Sequence, residues 1–153
     1  VETAYLARST QIHPDLATGN EDAARQMAGL NLARRILVNP ESRAEAVLNS
    51  FGGPTAAQER SLPEGFLAEM MDVRERIEAA MAESPDQARS TWDQWSRQQR
   101  DRAIESVAAL FDEASTSDCS RTELLRAVRI RLNAWRYIER LFEQLDPGTG
   151  STP

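Results

Sequence analysis

A chain of 153 residues with a net charge of −6, 41% apolar but only 6% aromatic, is long enough to bury a core and suits packed helices better than sheets. All 18 basic residues are arginine against 24 acids, and neither half is a polybasic arm, so the composition argues against nucleic-acid binding. No apolar run reaches membrane-spanning length, and the one cysteine, Cys119, can neither close an internal disulfide nor build a multi-cysteine metal site.

Taken in order, residues 1–12 carry a short helical pattern with Tyr5 and Ile12 on one face. Pro14 fixes its own φ and pushes His13 toward an extended conformation, so this helix stops at Ile12-His13-Pro14-Asp15 and displays His13 and Asp15 on a turn. A loop follows to Gly19. Asn20 then caps a helix running to Val38, with Ala23, Met27, Leu30, Ala33 and Leu37 on its apolar side. Asn39 and Pro40 are placed as N-cap and N1 of a further helix, to about Asn49, whose apolar positions are Ala44, Val47 and Leu48.

Phe51-Gly52-Gly53-Pro54 ends that helix, and the polar stretch through Arg60 reads as a linker. Beyond it, Ser61 with Glu64, Ser84 with Gln87 and Ser120 with Glu123 have capping-box spacing. They predict helices over 61–83, 85–115 and 120–145, and short connections between long helices imply antiparallel neighbours. The expected organisation is all-α: residues 1–50, a linker over 51–60, a three-helix antiparallel bundle over 61–146, and a disordered tail over 147–153. Because the chain opens on valine within a helical pattern, an upstream segment is expected to be missing.

In the first bundle helix, Phe66, Met70, Val73, Ile77 and Ala80 form the inner stripe, with Met81 at its edge. Leu67 and Met71 are an i, i+4 pair displaced roughly 100–140° from Phe66. In the last helix Leu124, Val128, Trp135, Ile138 and Phe142 face inward, while Ile130 and Tyr137 lie near the opposite side. Trp92, Trp95, Ala103, Val107 and Leu110 supply the middle helix's share, the tryptophans as core rather than a ligand cage. Leu67, Met71, Tyr137 and Ile130 are filler on a wide face or a protein-binding patch; periodicity alone favours filler.

Catalysis has little to work with. Only His13 has an unperturbed pKa near neutrality, and no nucleophile has a recognisable elbow or base spacing. There is no glycine-rich phosphate loop and no His/Cys ligand cluster. No cofactor is expected, and the chain reads as a non-enzyme.

A helix, His13-Pro14-Asp15, then a second helix resembles the centre of a J-domain. Asn31-Leu32-Ala33, Asn39-Pro40, Arg43-Ala44-Glu45 and Leu48 are similar to that family's following segment. Phe66-Leu67-Ala68-Glu69-Met70-Met71-Asp72-Val73-Arg74-Glu75 and Arg136-Tyr137-Ile138-Glu139-Arg140-Leu141 resemble the bundle helices of one branch, the HscB/Jac1-type J-domain co-chaperones of iron–sulfur cluster assembly. The resemblance runs from about Tyr5 to Leu145.

It implies a two-ended adaptor without catalysis of its own. Residues 1–50 would be a J-domain lacking its first helix, with His13, Pro14, Asp15 and Arg8 meeting a dedicated, HscA-like Hsp70 and stimulating its ATP hydrolysis. The bundle would hold an IscU-like iron–sulfur cluster scaffold protein through Leu67, Ala68, Met71 and Tyr137. Three of these four are residues that the helical wheel displaces from the core, which turns the filler reading into an interface reading. An alternative is a J-like scaffold-binding module with weak or no Hsp70 activation, since Arg8 is the one cation in the helix before His13. The implied location is the bacterial cytoplasm, or the mitochondrial matrix if a targeting segment preceded the chain.

Overall fold

The computed structural model describes residues 1–12, 21–116 and 120–145. Among these the chain forms six helices and no strand: α1 (Glu2–Ile12), α2 (Glu21–Val38), α3 (Pro40–Ser50), α4 (Phe66–Glu83), α5 (Pro85–Thr116) and α6 (Arg121–Leu145). They divide into two compact units, Val1–Val47 and Leu48–Pro153.

In the first unit α1 lies along α2 through polar contacts. The Tyr5 hydroxyl donates to Asn31 Oδ1 at 2.7 Å, Arg34 Nε donates to Glu2 Oε1 at 2.9 Å, and the Arg34 guanidinium sits 4.7 Å above the Tyr5 ring. Ala23 is buried, and Met27 and Leu30 are half-buried, as the periodicity predicts. Ala33 and Leu37 are instead exposed, and so are Leu6, Leu32 and Val38. The eleven-residue α1 buries none of its own side chains and is too short to cover a second apolar stripe of α2. The start of α3 is as expected: Asn39 Oδ1 accepts from the backbone N–H of Ser42 at 2.9 Å, with Pro40 in the first turn where its missing N–H costs nothing.

The second unit is an antiparallel three-helix bundle with a loop bound across it. Ser84 alone separates α4 from α5: its N–H bonds the Ala80 carbonyl and its own carbonyl accepts from Ala88, each at 2.9 Å. Phe66, Met70, Val73 and Ile77 of α4 pack with Ala134 and Leu141 of α6, bordered by Met81, Trp92, Trp95, Ile138 and Phe142. The tryptophans are thus edges of the core, their ring centroids 6.0 Å apart.

Two expectations are corrected here. The capping box at Ser61 and Glu64 does not open α4, which begins five residues later behind Gly65 at φ 75, a left-handed conformation suited to glycine. Glu59 Oε1 takes the Ser61 N–H at 2.9 Å, and Asn133 Nδ2 donates to the carbonyls of Glu59 and Ser61 at 3.0 and 3.1 Å. Those contacts hold the segment out of a helix. Secondly, α6 buries a wider face than its predicted stripe. Val128 and Trp135 are buried and Leu124, Ile138 and Phe142 half-buried, but Leu125, Leu132 and Leu141 are buried as well.

The stretch 51–60, read from composition as a linker, lies against α6 through three residues at i, i+3 and i+7. Arg126 pairs with Glu59, the fully buried Arg129 donates from Nε to the Pro54 carbonyl at 2.9 Å, and Asn133 makes the bonds given above. At the other end of the loop the Phe51 ring meets Phe111 edge-on at 5.8 Å, and the Arg121 guanidinium covers it at 5.0 Å. A second polar lock joins α5 to α6: Glu139 accepts from Arg100 Nε and Nη2, each at 2.8 Å, and from Trp135 Nε1 at 3.0 Å.

Both acids titrate low. Hydrogen bonds from Ser61 and Arg126 hold Glu59 at about 2 against an ordinary 4.5. Burial pushes Glu139 up, but the bonds from Arg100 and Trp135 outweigh it and leave its carboxyl below the ordinary value. A carboxylate depressed in the folded state stabilises it fully above the ordinary carboxylate range and loses that contribution as the pH falls toward the folded value. The urea midpoint is therefore expected to drop between about pH 6 and about pH 3, followed by tryptophan fluorescence. In a Glu59→Gln/Glu139→Gln variant that drop should be smaller.

Candidate functional site

The helical pitch and the core stripe together decide what α4 leaves outside. With Phe66, Met70, Val73 and Ile77 turned inward, Leu67 and Met71 stand one turn apart on the solvent side, 52% and 64% exposed. Tyr137 of α6 is 38% exposed, and its ring meets Phe66 edge to face, centroids 5.5 Å apart at 82°. That contact fixes the phenol beside the first turn of α4 while leaving one side open.

Arg74, one turn beyond Met71, borders the same face. Its Nε bonds Glu78 Oε1 at 2.8 Å. That bond and the Glu78 charge, with a smaller contribution from Tyr137, push the guanidinium up from its ordinary value. Helix spacing places Arg74 near Leu67, but a periodicity search restricted to apolar residues passes over it.

Of the residues expected to share one patch, Leu67, Met71 and Tyr137 are all exposed on the α4 and α6 side of the bundle. Ala68 is exposed too, roughly 60° round α4 from Met71. Ile130 is half-buried and Ala134 buried. Arg8 is exposed on α1, while His13, Pro14 and Asp15 lie outside the described residues. No helix among the described residues is long and apolar enough to cross a membrane, and no group of three or more His, Cys, Asp or Glu there could hold a metal ion.

By class this is an all-α protein whose second unit is a three-helix bundle carrying exposed aliphatic and aromatic side chains. Residues 62–146 match the family described as the HSCB C-terminal oligomerisation domain. The chain belongs to that family, the HscB/Jac1-type co-chaperones. It is 28% identical over 148 residues to the J-type co-chaperone jac1, mitochondrial, of Schizosaccharomyces pombe, covering 95% of this chain and 62% of that protein. Co-chaperone protein HscB homologs of Burkholderia thailandensis and Burkholderia multivorans are 29% and 30% identical over 150 and 151 residues, covering 92% of this chain and 85% of theirs. No solved structure matches the chain at comparable stringency.

Proposed function

We propose that this chain is an adaptor between a dedicated, HscA-like Hsp70 and an IscU-like scaffold protein on which iron–sulfur clusters are assembled. The exposed face of Leu67, Met71 and Tyr137 is the scaffold-docking surface, with Arg74 on its rim. The observation that carries this reading is three large apolar side chains left in solvent by a bundle whose remaining apolar stripe is well buried. Such a patch fits a protein partner, its aromatic anchor pre-positioned by Phe66.

The Hsp70-facing role is assigned to His13, Pro14 and Asp15 on the motif, with Arg8 on the preceding helix. The adaptor supplies no bond-making chemistry. It favours the hydrolysis-competent state of the Hsp70 and presents the scaffold at high effective concentration beside it. Its bacterial and mitochondrial relatives point to the bacterial cytoplasm or the mitochondrial matrix as the place of action.

The test is the steady-state ATPase of the cognate Hsp70 with the scaffold present, comparing this chain with its His13→Gln variant. The chain should raise the rate several-fold and the variant should not, while both bind the scaffold equally. Equal rates from the two would remove the Hsp70-activating role and leave a scaffold-binding module.

A further inference from the structure

The chain holds four methionines, and the bundle treats two neighbours among them in opposite ways. Met70 is 2% exposed, in the core with Phe66, Val73 and Ile77, whereas Met71 is 64% exposed. One step along α4 turns the side chain about 100°, and that step carries the second thioether out of the core to the face that bears Leu67. Met27 and Met81 are half-buried. Met71 is thus the methionine that dissolved oxidants reach most freely, and it is one of the three large side chains assigned to docking.

We propose that Met71 is an oxidation site that switches scaffold docking off: a peroxide converts its thioether to the sulfoxide, and the face no longer seals against its partner. The switch rests on the docking assignment made above for Leu67, Met71 and Tyr137. In the step itself a lone pair of the Met71 sulfur attacks one oxygen of hydrogen peroxide. The S–O bond forms as the O–O bond breaks, and the departing hydroxide takes the proton of the transferred hydroxyl and leaves as water. Sulfur loses two electrons and the peroxide gains two. Methionine sulfoxide reductases reverse the change with a dithiol, which becomes its disulfide while the oxygen leaves as water.

The position of Met71 decides what oxidation costs. In the free chain the sulfoxide oxygen on so exposed a side chain is met by water, and the fold loses nothing. In the complex the same oxygen enters an apolar contact and gives up that water, which is the costly case. The penalty therefore falls on docking. A sulfoxide at Met70 would do the reverse, placing a polar atom in the core and lowering stability. A leucine at position 71 offers similar apolar volume with no sulfur to oxidise, so the thioether is what makes the face responsive.

The test uses the full chain with Cys119→Ser in every sample, so that no thiol competes for oxidant. Hydrogen peroxide is added in steps and removed, and the tryptic peptide over 61–74, which holds both Met70 and Met71, is sequenced by fragmentation. Met71 should be converted well before Met70, with the thermal midpoint unmoved at that stage. Calorimetric titration with the cognate scaffold protein should then show an affinity lower by roughly tenfold or more. Treatment with both methionine sulfoxide reductases, one for each sulfur epimer, should restore it. The Met71→Leu variant is compared only with itself, and peroxide should leave its affinity where it was.

The switch is overturned if Met70 oxidises as readily as Met71, or if the Met71 sulfoxide binds as tightly as the thioether. It is equally overturned if the thermal midpoint falls along with the affinity, or if Met71→Leu loses affinity under the same treatment. A chain that gives no heat with the scaffold before any peroxide is added overturns the docking assignment itself, and the switch with it.

Discussion

Replacing Leu67, Met71 and Tyr137 together by alanine is expected to abolish binding of the cognate iron–sulfur scaffold protein while leaving the helical content intact. All three side chains are substantially exposed, so their truncation opens no core cavity, and the Phe66 to Ile77 stripe remains buried. Central aliphatic and aromatic anchors of a docking face typically cost about 2 kcal/mol or more each when cut to alanine. Even with poor additivity, a complex in the micromolar range would move to the millimolar range, about three decades. Calorimetric titration of the scaffold into wild type and variant reads this directly. Wild-type heats from the triple variant would place the docking surface elsewhere on the chain.

Arg129→Ala is expected to be strongly destabilising to the second unit. The side chain is fully buried in α6 and donates to the Pro54 carbonyl of the bound loop. Truncation leaves that acceptor orphaned and opens a cavity between loop and helix, together about 3 kcal/mol. Arg129→Met keeps the stem volume but not the bond and should lose roughly half as much. Urea unfolding by tryptophan fluorescence isolates the effect, because Trp92, Trp95 and Trp135 all lie in the second unit. A loss below about 0.5 kcal/mol for the alanine variant would mean that water replaces the guanidinium there, and that the loop does not depend on Arg129.

The loop over 51–60 is where composition misleads. Its residues are polar and rich in turn formers, which is what a free linker looks like, yet its carbonyls are bound by Arg129 and Asn133. Backbone carbonyls carry no side-chain signature, so a residue-type reading cannot see them as binding groups. The donors were visible only as an arginine and an asparagine on a helix already explained by its apolar stripe. The same blindness shifted the start of α4: Ser61 and Glu64 have the right spacing, but Glu59 had already taken the Ser61 N–H.

Periodicity reached further at the candidate face. Because residues advance about 100° round a helix, a buried Phe66 and Met70 oblige Leu67 and Met71 to point elsewhere, and they do. Placing Tyr137 beside Phe66 needed the mutual register of α4 and α6.

By itself, then, the sequence determined the helical class, the positions of five helix starts to within a residue or two, the inner stripe of α4 and the solvent-facing Leu67, Met71 and Tyr137. These are local properties, set by turn chemistry, capping and helical pitch. Only the tertiary structure decided the anchoring of the loop on α6, the wider buried face of that helix, and the exposure of Ala33 and Leu37. Each of those depends on what stands across from a residue, and a charge or a carbonyl is satisfied or left open by groups far away along the chain.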